Sequence, residues 1–82
     1  MAVNNVVRTT GALAVTPSDS ANLSKNAEKL WIGTAGLGGL KVTMRDGSVI
    51  TFAGVPAGLF EAGIIKRVWS TGTTVSDIIA LY

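Results

Sequence analysis

The sequence contains no cysteine and no histidine. Without cysteine the chain has no disulfide and no thiolate metal site, and without histidine it lacks the commonest metal ligand and general base. The acidic residues are scattered singly, at Asp19, Glu28, Asp46, Glu61 and Asp77. Such spacing supplies neither the paired carboxylates of acid–base catalysis nor the clustered oxygen ligands of a calcium loop. The sequence therefore predicts a protein that is not an enzyme and that holds no metal and no cofactor.

Charged residues are scarce, at 15% of the chain, whereas 48% of the residues are hydrophobic. Ordinary soluble domains are about 25% charged. A chain of 82 residues forms one small domain with much surface for its volume. So apolar a composition predicts that neighbouring subunits or partners cover part of that surface. We therefore expect a homo-oligomer.

The sequence also has little that would attract nucleic acid or a membrane. The net charge is only +2, and no apolar run approaches the roughly 20 residues of a membrane span. The N-terminus lacks the basic start and long apolar stretch of a secretory signal. We expect synthesis in the cytoplasm, with neither nucleic acid nor a membrane as partner.

The clearest structural pattern is a β-hairpin between residues 40 and 52. Apolar and polar residues alternate over Leu40–Met44, Asp46-Gly47 gives a strong turn signal, and a second β-rich run covers Ser48–Phe52. A three-residue loop, Arg45–Gly47, with Gly47 in the left-handed position of a bulge, keeps one side of the hairpin apolar. It pairs Met44 with Ser48, Val42 with Ile50 and Leu40 with Phe52.

Further short strands are predicted on both sides of this hairpin. Glu28–Thr34 has Leu30 and Ile32 on one face and Trp31 on the other, and Leu59–Ala62 is a brief strand or a wide turn. In Gly63–Ser70, strict alternation places Ile65, Arg67 and Trp69 opposite Ile64, Lys66 and Val68. In Val75–Tyr82, Ile79 and Leu81 are expected to face inward and Ile78, Ala80 and Tyr82 to face the other side. Because Val75–Tyr82 is apolar on both faces, we expect it to be central or covered.

These elements predict an all-β fold, a small antiparallel β-sandwich or barrel of about five to seven short strands. Residues 1–15 mix small, β-branched and polar residues without a clear period, which favours an extended N-terminal arm. The division is therefore residues 1–15 as the arm and residues 16–82 as a single β domain. The arm is free to lie on a neighbouring subunit or on a partner shell.

Large aromatic rings are few and are the best candidates for contacts between subunits, because such rings dominate interface energetics. The candidate subunit or partner interface comprises Trp31, Trp69, Ile78, Tyr82, Lys66 and Arg67. A different interpretation takes Lys41, Arg45, Lys66 and Arg67 with Trp69 as the nucleic-acid strip of a small OB-like domain. The low net charge and low aromatic content disfavour it.

Five segments of the chain carry a resemblance to known proteins: Thr16–Leu23, Leu30–Gly36, Leu40–Gly47, Val49–Gly58 and Lys66–Tyr82. They occur in the same order in a family of small virion proteins. The chain resembles the spike base proteins of tailed phages and the gene transfer agents of alphaproteobacteria, most specifically in the V-P-A-G loop and in the closing T-G-T-T-V-S-D-I-I-A-L-Y. None of these motifs is catalytic, so no active residue is implied.

The resemblance implies a structural protein of the virion, on the capsid surface. Its expected partners are copies of itself in a ring, a pentamer with a trimer as the alternative, the major capsid protein, and a spike or fibre protein that the ring anchors to the fivefold vertex. A decoration (cement) protein at threefold sites is the other structural alternative. The OB-like nucleic-acid-binding domain is the remote one.

Overall fold

In a computed structural model of the chain, residues 9–82 contain seven β-strands and no helix, and residues 1–8 lie outside the described part. This confirms the all-β prediction. The strands are β1 (Ala12–Ala14), β2 (Lys29–Thr34), β3 (Leu40–Met44), β4 (Val49–Phe52), β5 (Gly58–Phe60), β6 (Ile65–Val68) and β7 (Ser76–Leu81).

The strands form two antiparallel sheets that pack as a sandwich. One sheet has four strands in the order β1-β7-β2-β5, and the other has three in the order β4-β3-β6. β7 is paired on both sides, with β1 and with β2. The prediction that this doubly apolar strand is central is therefore confirmed.

The core between the sheets is built by alternate residues of the central strands. In β2, Leu30 and Ile32 are fully buried whereas Trp31 between them is 48% exposed, as the period-2 pattern predicts. The opposite sheet contributes Leu40 and Val42 from β3, both fully buried. The other core residues are Ala27, Val55, Ile65, Val68, Val75, Ile78 and Ala80.

The β3–β4 hairpin has the predicted register. Leu40 pairs with Phe52 and Val42 with Ile50, and the Met44 N–H donates to the Ser48 carbonyl at 2.8 Å. Gly47 has a φ of 96°, the left-handed conformation that the three-residue loop requires. The predicted turn chemistry is confirmed.

Two predictions of strand faces were wrong. In β7 the inward residues are Ile78 and Ala80, each 2% exposed, rather than Ile79 and Leu81. Both faces of this strand are apolar, so alternation could not choose between them; the register does, because it sets Ile78 opposite the buried Ile32. In β6 strict alternation fails at a bulge, where the pairing with β3 shifts register and both Ile65 and Val68 turn inward.

The predicted N-terminal arm lies partly outside the described residues. Within its described part, Ala12–Ala14 forms β1 at the edge of the four-stranded sheet, and Tyr82 accepts hydrogen bonds from the Thr10 and Gly11 N–H groups at 2.6 and 2.9 Å. Residues 10–14 therefore run along the end of β7. The division into an arm and a domain stays a prediction.

The two ends of the sandwich differ in how their strand edges are covered. At one end, residues 18–27, which we call the crossing segment, run from β1 to β6. The Ser18 N–H donates to the Val68 carbonyl, the Leu23 N–H donates to the Lys66 carbonyl, and Ala27 pairs with Ile65. At the other end, β4 meets β5 through Phe52 and Phe60, whose rings lie edge to face at 5.0 Å. β1 and β4 therefore lie at opposite ends.

Candidate interface surfaces

An apolar surface crosses the outer side of the four-stranded sheet. The register aligns Ala14, Ile79, Trp31 and Leu59 in one row, each contributed by a different strand. We call these four residues, with Ala12 and Leu81 of the adjacent row, the Trp31 face. Trp31 and Leu59 are 48% and 51% exposed. A contiguous apolar patch of this kind is typical of an interface rather than of a solvated sheet face.

Polar groups border the Trp31 face. Lys29, next to Leu81 across the strands, forms an ion pair of 3.5 Å with Glu61. At the far end of β7, Asp77 accepts a hydrogen bond of 2.7 Å from the Thr34 hydroxyl. An apolar centre with a polar rim is the usual anatomy of a protein–protein interface.

The outer side of the three-stranded sheet is basic instead. Trp69 donates from Nε1 to the Thr43 hydroxyl at 2.9 Å, with Lys41 Nζ at 4.4 Å and Arg67 Cζ at 5.2 Å from its ring centroid. We call Lys41, Thr43, Arg67 and Trp69 the Trp69 face. Cations within about 6 Å of an indole ring are held by its quadrupole. Trp69 is thus fixed and half-buried among side chains of its own chain.

Arg67 also has a structural role. Its guanidinium donates to Asn22 Oδ1 at 2.9 Å and to the carbonyls of Asp19 and Ser20 at 3.3 Å each. These bonds fasten the crossing segment to β6. With these donors engaged and the Trp69 ring flanked by cations, the face offers little of the free aromatic surface on which bases stack.

The remaining candidate residues lie elsewhere. Tyr82 is half-buried at the end of the four-stranded sheet, with Lys25 Nζ 4.7 Å from its ring centroid. Lys66 is half-buried beside the crossing segment. Ile78 is in the core, so it presents no surface to a partner. The structure therefore brings Lys66, Arg67 and Trp69 together on one sheet. On the other sheet, Trp31 is the candidate residue on the outer face, and Tyr82 lies at the sheet's end.

Of the six residues of the Trp31 face, only Trp31 was predicted. The other five are Ala12, Ala14, Leu59, Ile79 and Leu81. The signal for Ile79 and Leu81 was present, because a strand with two apolar faces must cover one of them with something other than its own core. Leu59 lies in a strand of only three residues, which carries no usable period.

Two of the hydrogen-bonded carboxylates have lowered pKa values. The pKa of Asp19 is lowered, chiefly by the hydroxyl and the N–H of Thr71, and the pKa of Asp46 is lowered chiefly by the hydroxyl and the N–H of Ser48. A general acid needs the opposite shift. Among residues 9–82 no group of three or more acidic residues is placed to hold a metal ion, and no helix there is long and apolar enough to span a membrane.

Comparison with known proteins gives one structural likeness. No protein-family model matches the chain, and no curated protein matches it. The fold is similar, with a TM-score of 0.75, to a chain in the capsid of a native GTA particle, a structure computed with C5 symmetry. The two chains are 24% identical, and the match covers 90% of this chain and 83% of the other. At this identity the comparison shows that the two chains share a fold.

Proposed function

We propose that the chain is a non-enzymatic structural protein of a virion or virion-like particle, located on the capsid surface. The observation that carries this proposal is the fold shared with a chain of a GTA capsid over 90% of the present sequence. The motifs that resemble spike base proteins support a more specific role, a homo-oligomeric base that anchors a head spike or fibre to a capsid vertex.

The Trp31 face supports self-association. A cyclic ring with more than two subunits needs a heterologous contact, in which one patch of each subunit meets a different patch of the next. The chain has such unlike surfaces, an apolar face on one sheet and a basic face on the other. Subunit contacts over the Trp31 face would cover Trp31 and Leu59, which are half exposed in the single chain.

The fivefold vertex is the proposed position. The likeness is to a capsid chain in a structure computed with C5 symmetry, which is consistent with a ring of five at that axis. In this arrangement the ring contacts the major capsid protein on one side and a spike or fibre on the other. Its partners are proteins only, with no role for nucleic acid or membrane.

Imaging of intact particles tests the proposal. Particles made with and without this chain are compared by electron cryomicroscopy, without imposing fivefold averaging at the vertex. We expect additional density at the fivefold vertices that accommodates the sandwich, and loss of the spike or fibre from particles that lack the chain. Density at threefold sites would instead identify a cement protein, and identical particles would overturn a capsid role.

A further inference from the structure

The outer edge of β4 is an unprotected strand edge. Just before β4, the Met44–Ser48 pair is hydrogen bonded. Hydrogen-bonded pairs alternate along an antiparallel ladder, so Ile50 and Phe52 are the residues of β4 that are hydrogen bonded to β3. The N–H and C=O groups of Val49 and Thr51 therefore point away from β3. Within residues 9–82, β4 has no second neighbouring strand.

The side chains along this edge are as accessible as its backbone. Val49 and Ile50 are 51% and 47% exposed. Ile50 projects to the inner side of the sheet, opposite the buried Val42. It is exposed because no other strand of residues 9–82 lies on the outer side of β4. One added strand would therefore cover Ile50 and pair Val49 and Thr51 in a single step.

β4 is short, but it has neither charge nor proline, the side-chain devices that commonly block a free edge. Residues 47–60 include no charged residue, and β4 has neither a proline nor a lysine. The edge of β6 at the opposite end is covered by the crossing segment. In the described part of the chain, the three-stranded sheet is therefore closed at one end and open at the other.

We propose that residues 2–7 of a neighbouring copy add to the open edge of β4 as a further strand, antiparallel or parallel. This strand would link the subunits of the ring proposed above, and the inference rests on that ring. The segment reads A-V-N-N-V-V, with three valines and no charge, proline or glycine. This composition matches a strand that joins an uncharged edge by main-chain hydrogen bonds.

The position of the segment favours a neighbour over its own chain. Thr10 and Gly11 are hydrogen bonded to Tyr82 beside β1, at the end of the sandwich opposite β4. Six residues span about 20 Å when extended, enough to lie along the four residues of β4 in an adjacent subunit. The contact joins one end of a subunit to the other end of the next, the heterologous geometry that closes a ring.

Hydrogen exchange of the assembled protein tests the proposal directly. In full-length rings, or on capsid-bound protein if rings form only there, the Val49 and Thr51 amides should exchange at least about tenfold more slowly than in a variant whose residues 2–7 are replaced by six Gly and Ser residues. The Ile50 amide, bonded to β3 in both, is the internal control.

Each outcome of this experiment has a distinct meaning. Equal exchange of Val49 and Thr51 in both proteins overturns the strand addition, whether or not a ring forms. Protection that depends on residues 2–7 but is present in the isolated monomer shows that the segment pairs with its own chain, which also overturns it. The proposed function is tested separately by capsid binding, and it is refuted if the full-length protein does not bind the capsid.

A second variant alters the edge of β4 and leaves residues 2–7 unchanged. Thr51→Pro eliminates an N–H that β3 does not use, and an edge strand tolerates proline at such a position. We expect it to raise the concentration needed for assembly by at least about tenfold. Thr51→Val, which keeps the amide, should assemble normally. Equal assembly of the two variants contradicts the proposal, and circular dichroism verifies that both are folded.

Discussion

Asp19 is the residue whose carboxylate makes the most connections between distant parts of the chain. It accepts hydrogen bonds from the Ser70 N–H at 3.0 Å and from the Thr71 N–H at 2.8 Å, and both residues also donate their hydroxyls. Together with Arg67, which binds the Asp19 and Ser20 carbonyls, it fastens the crossing segment to the end of β6. The ionised carboxylate is the form that accepts all these bonds.

Acid should therefore weaken the fold through Asp19. Its pKa is lowered from the ordinary value of 3.8 by the bonds from Thr71 and Ser70. A lowered pKa in the folded state gives stability that is complete above the unfolded pKa and is lost as the pH falls through the folded pKa. We expect Asp19→Asn to have a shallower decline of Tm between about pH 5 and about pH 2 than the parent chain. Parallel Tm curves for the two proteins would contradict this role.

Asp77 has a backbone conformation that is unusual for a residue with a side chain. Its φ is 56°, and its carboxylate accepts the Thr34 hydroxyl. Left-handed backbone is costly for most L-residues, whereas Asn and Asp tolerate it. We expect Asp77→Ala to lower the free energy of unfolding by about 1–2 kcal/mol, and Asp77→Asn by less than about 0.5 kcal/mol. Urea denaturation measures both variants, and equal losses would show that backbone conformation is not the cause.

At the scale of elements, the β3–β4 hairpin depends on one left-handed residue. Gly47 has a φ of 96°, and a Cβ at this position would meet no neighbouring atom. Any cost of adding a side chain is therefore conformational rather than steric. We expect Gly47→Ala to lower the free energy of unfolding by about 1 kcal/mol and Gly47→Asn to lower it less. Chemical denaturation of the two variants checks this order, and the reverse order would contradict the loop geometry.

This hairpin was predictable in detail because two signals agreed. The turn residues offered two loop lengths, and only the three-residue loop kept Leu40, Val42 and Met44 opposite mainly apolar partners. β2 was predictable for a similar reason, since the buried Leu30 and Ile32 alternate with the exposed Trp31 and Gly33. Where the turn residues and the apolar pattern favour the same pairing, a single sequence is enough to predict the register and the buried face.

The wrong predictions concern strands in which the alternation of residues does not indicate which face is buried. β7 is apolar on both sides, so the choice of inner face depends on its pairing with β2. β6 contains a bulge, which depends on how β3 and β6 meet and leaves no mark in the sequence of β6 alone. Trp31 was correctly expected on the face opposite Leu30 and Ile32, but the residues that complete its surface required the sheet order.

For the whole molecule, the two sheets present surfaces of opposite character. The four-stranded sheet exposes the Trp31 face, whereas the three-stranded sheet exposes Lys41, Arg67 and Trp69, which are engaged with one another. Cores of domains this small provide little stability in excess of the entropy of folding. Burial of the Trp31 face in an assembly would add to the stability of the domain, so stability and assembly are expected to be coupled.

Trp31 offers a way to separate assembly from folding. It is 48% exposed, so Trp31→Ala should cost the single chain about 1 kcal/mol, through lost cross-strand contacts with Ile79 and Leu59. In contrast, a large central aromatic residue at an interface commonly contributes 2 kcal/mol or more, which corresponds to a loss of about 30-fold in association. Sedimentation velocity or capsid binding measures the association.

Two control variants make this result specific. Leu37→Ala removes a more exposed apolar side chain, 88% accessible on a loop outside the Trp31 face, and should leave association unchanged. Ile32→Ala opens a cavity in the core and should lower the free energy of unfolding by about 2–5 kcal/mol. If Trp31→Ala behaves like Leu37→Ala in association, then the Trp31 face is not where subunits or capsid proteins bind, and the apolar surface requires another explanation.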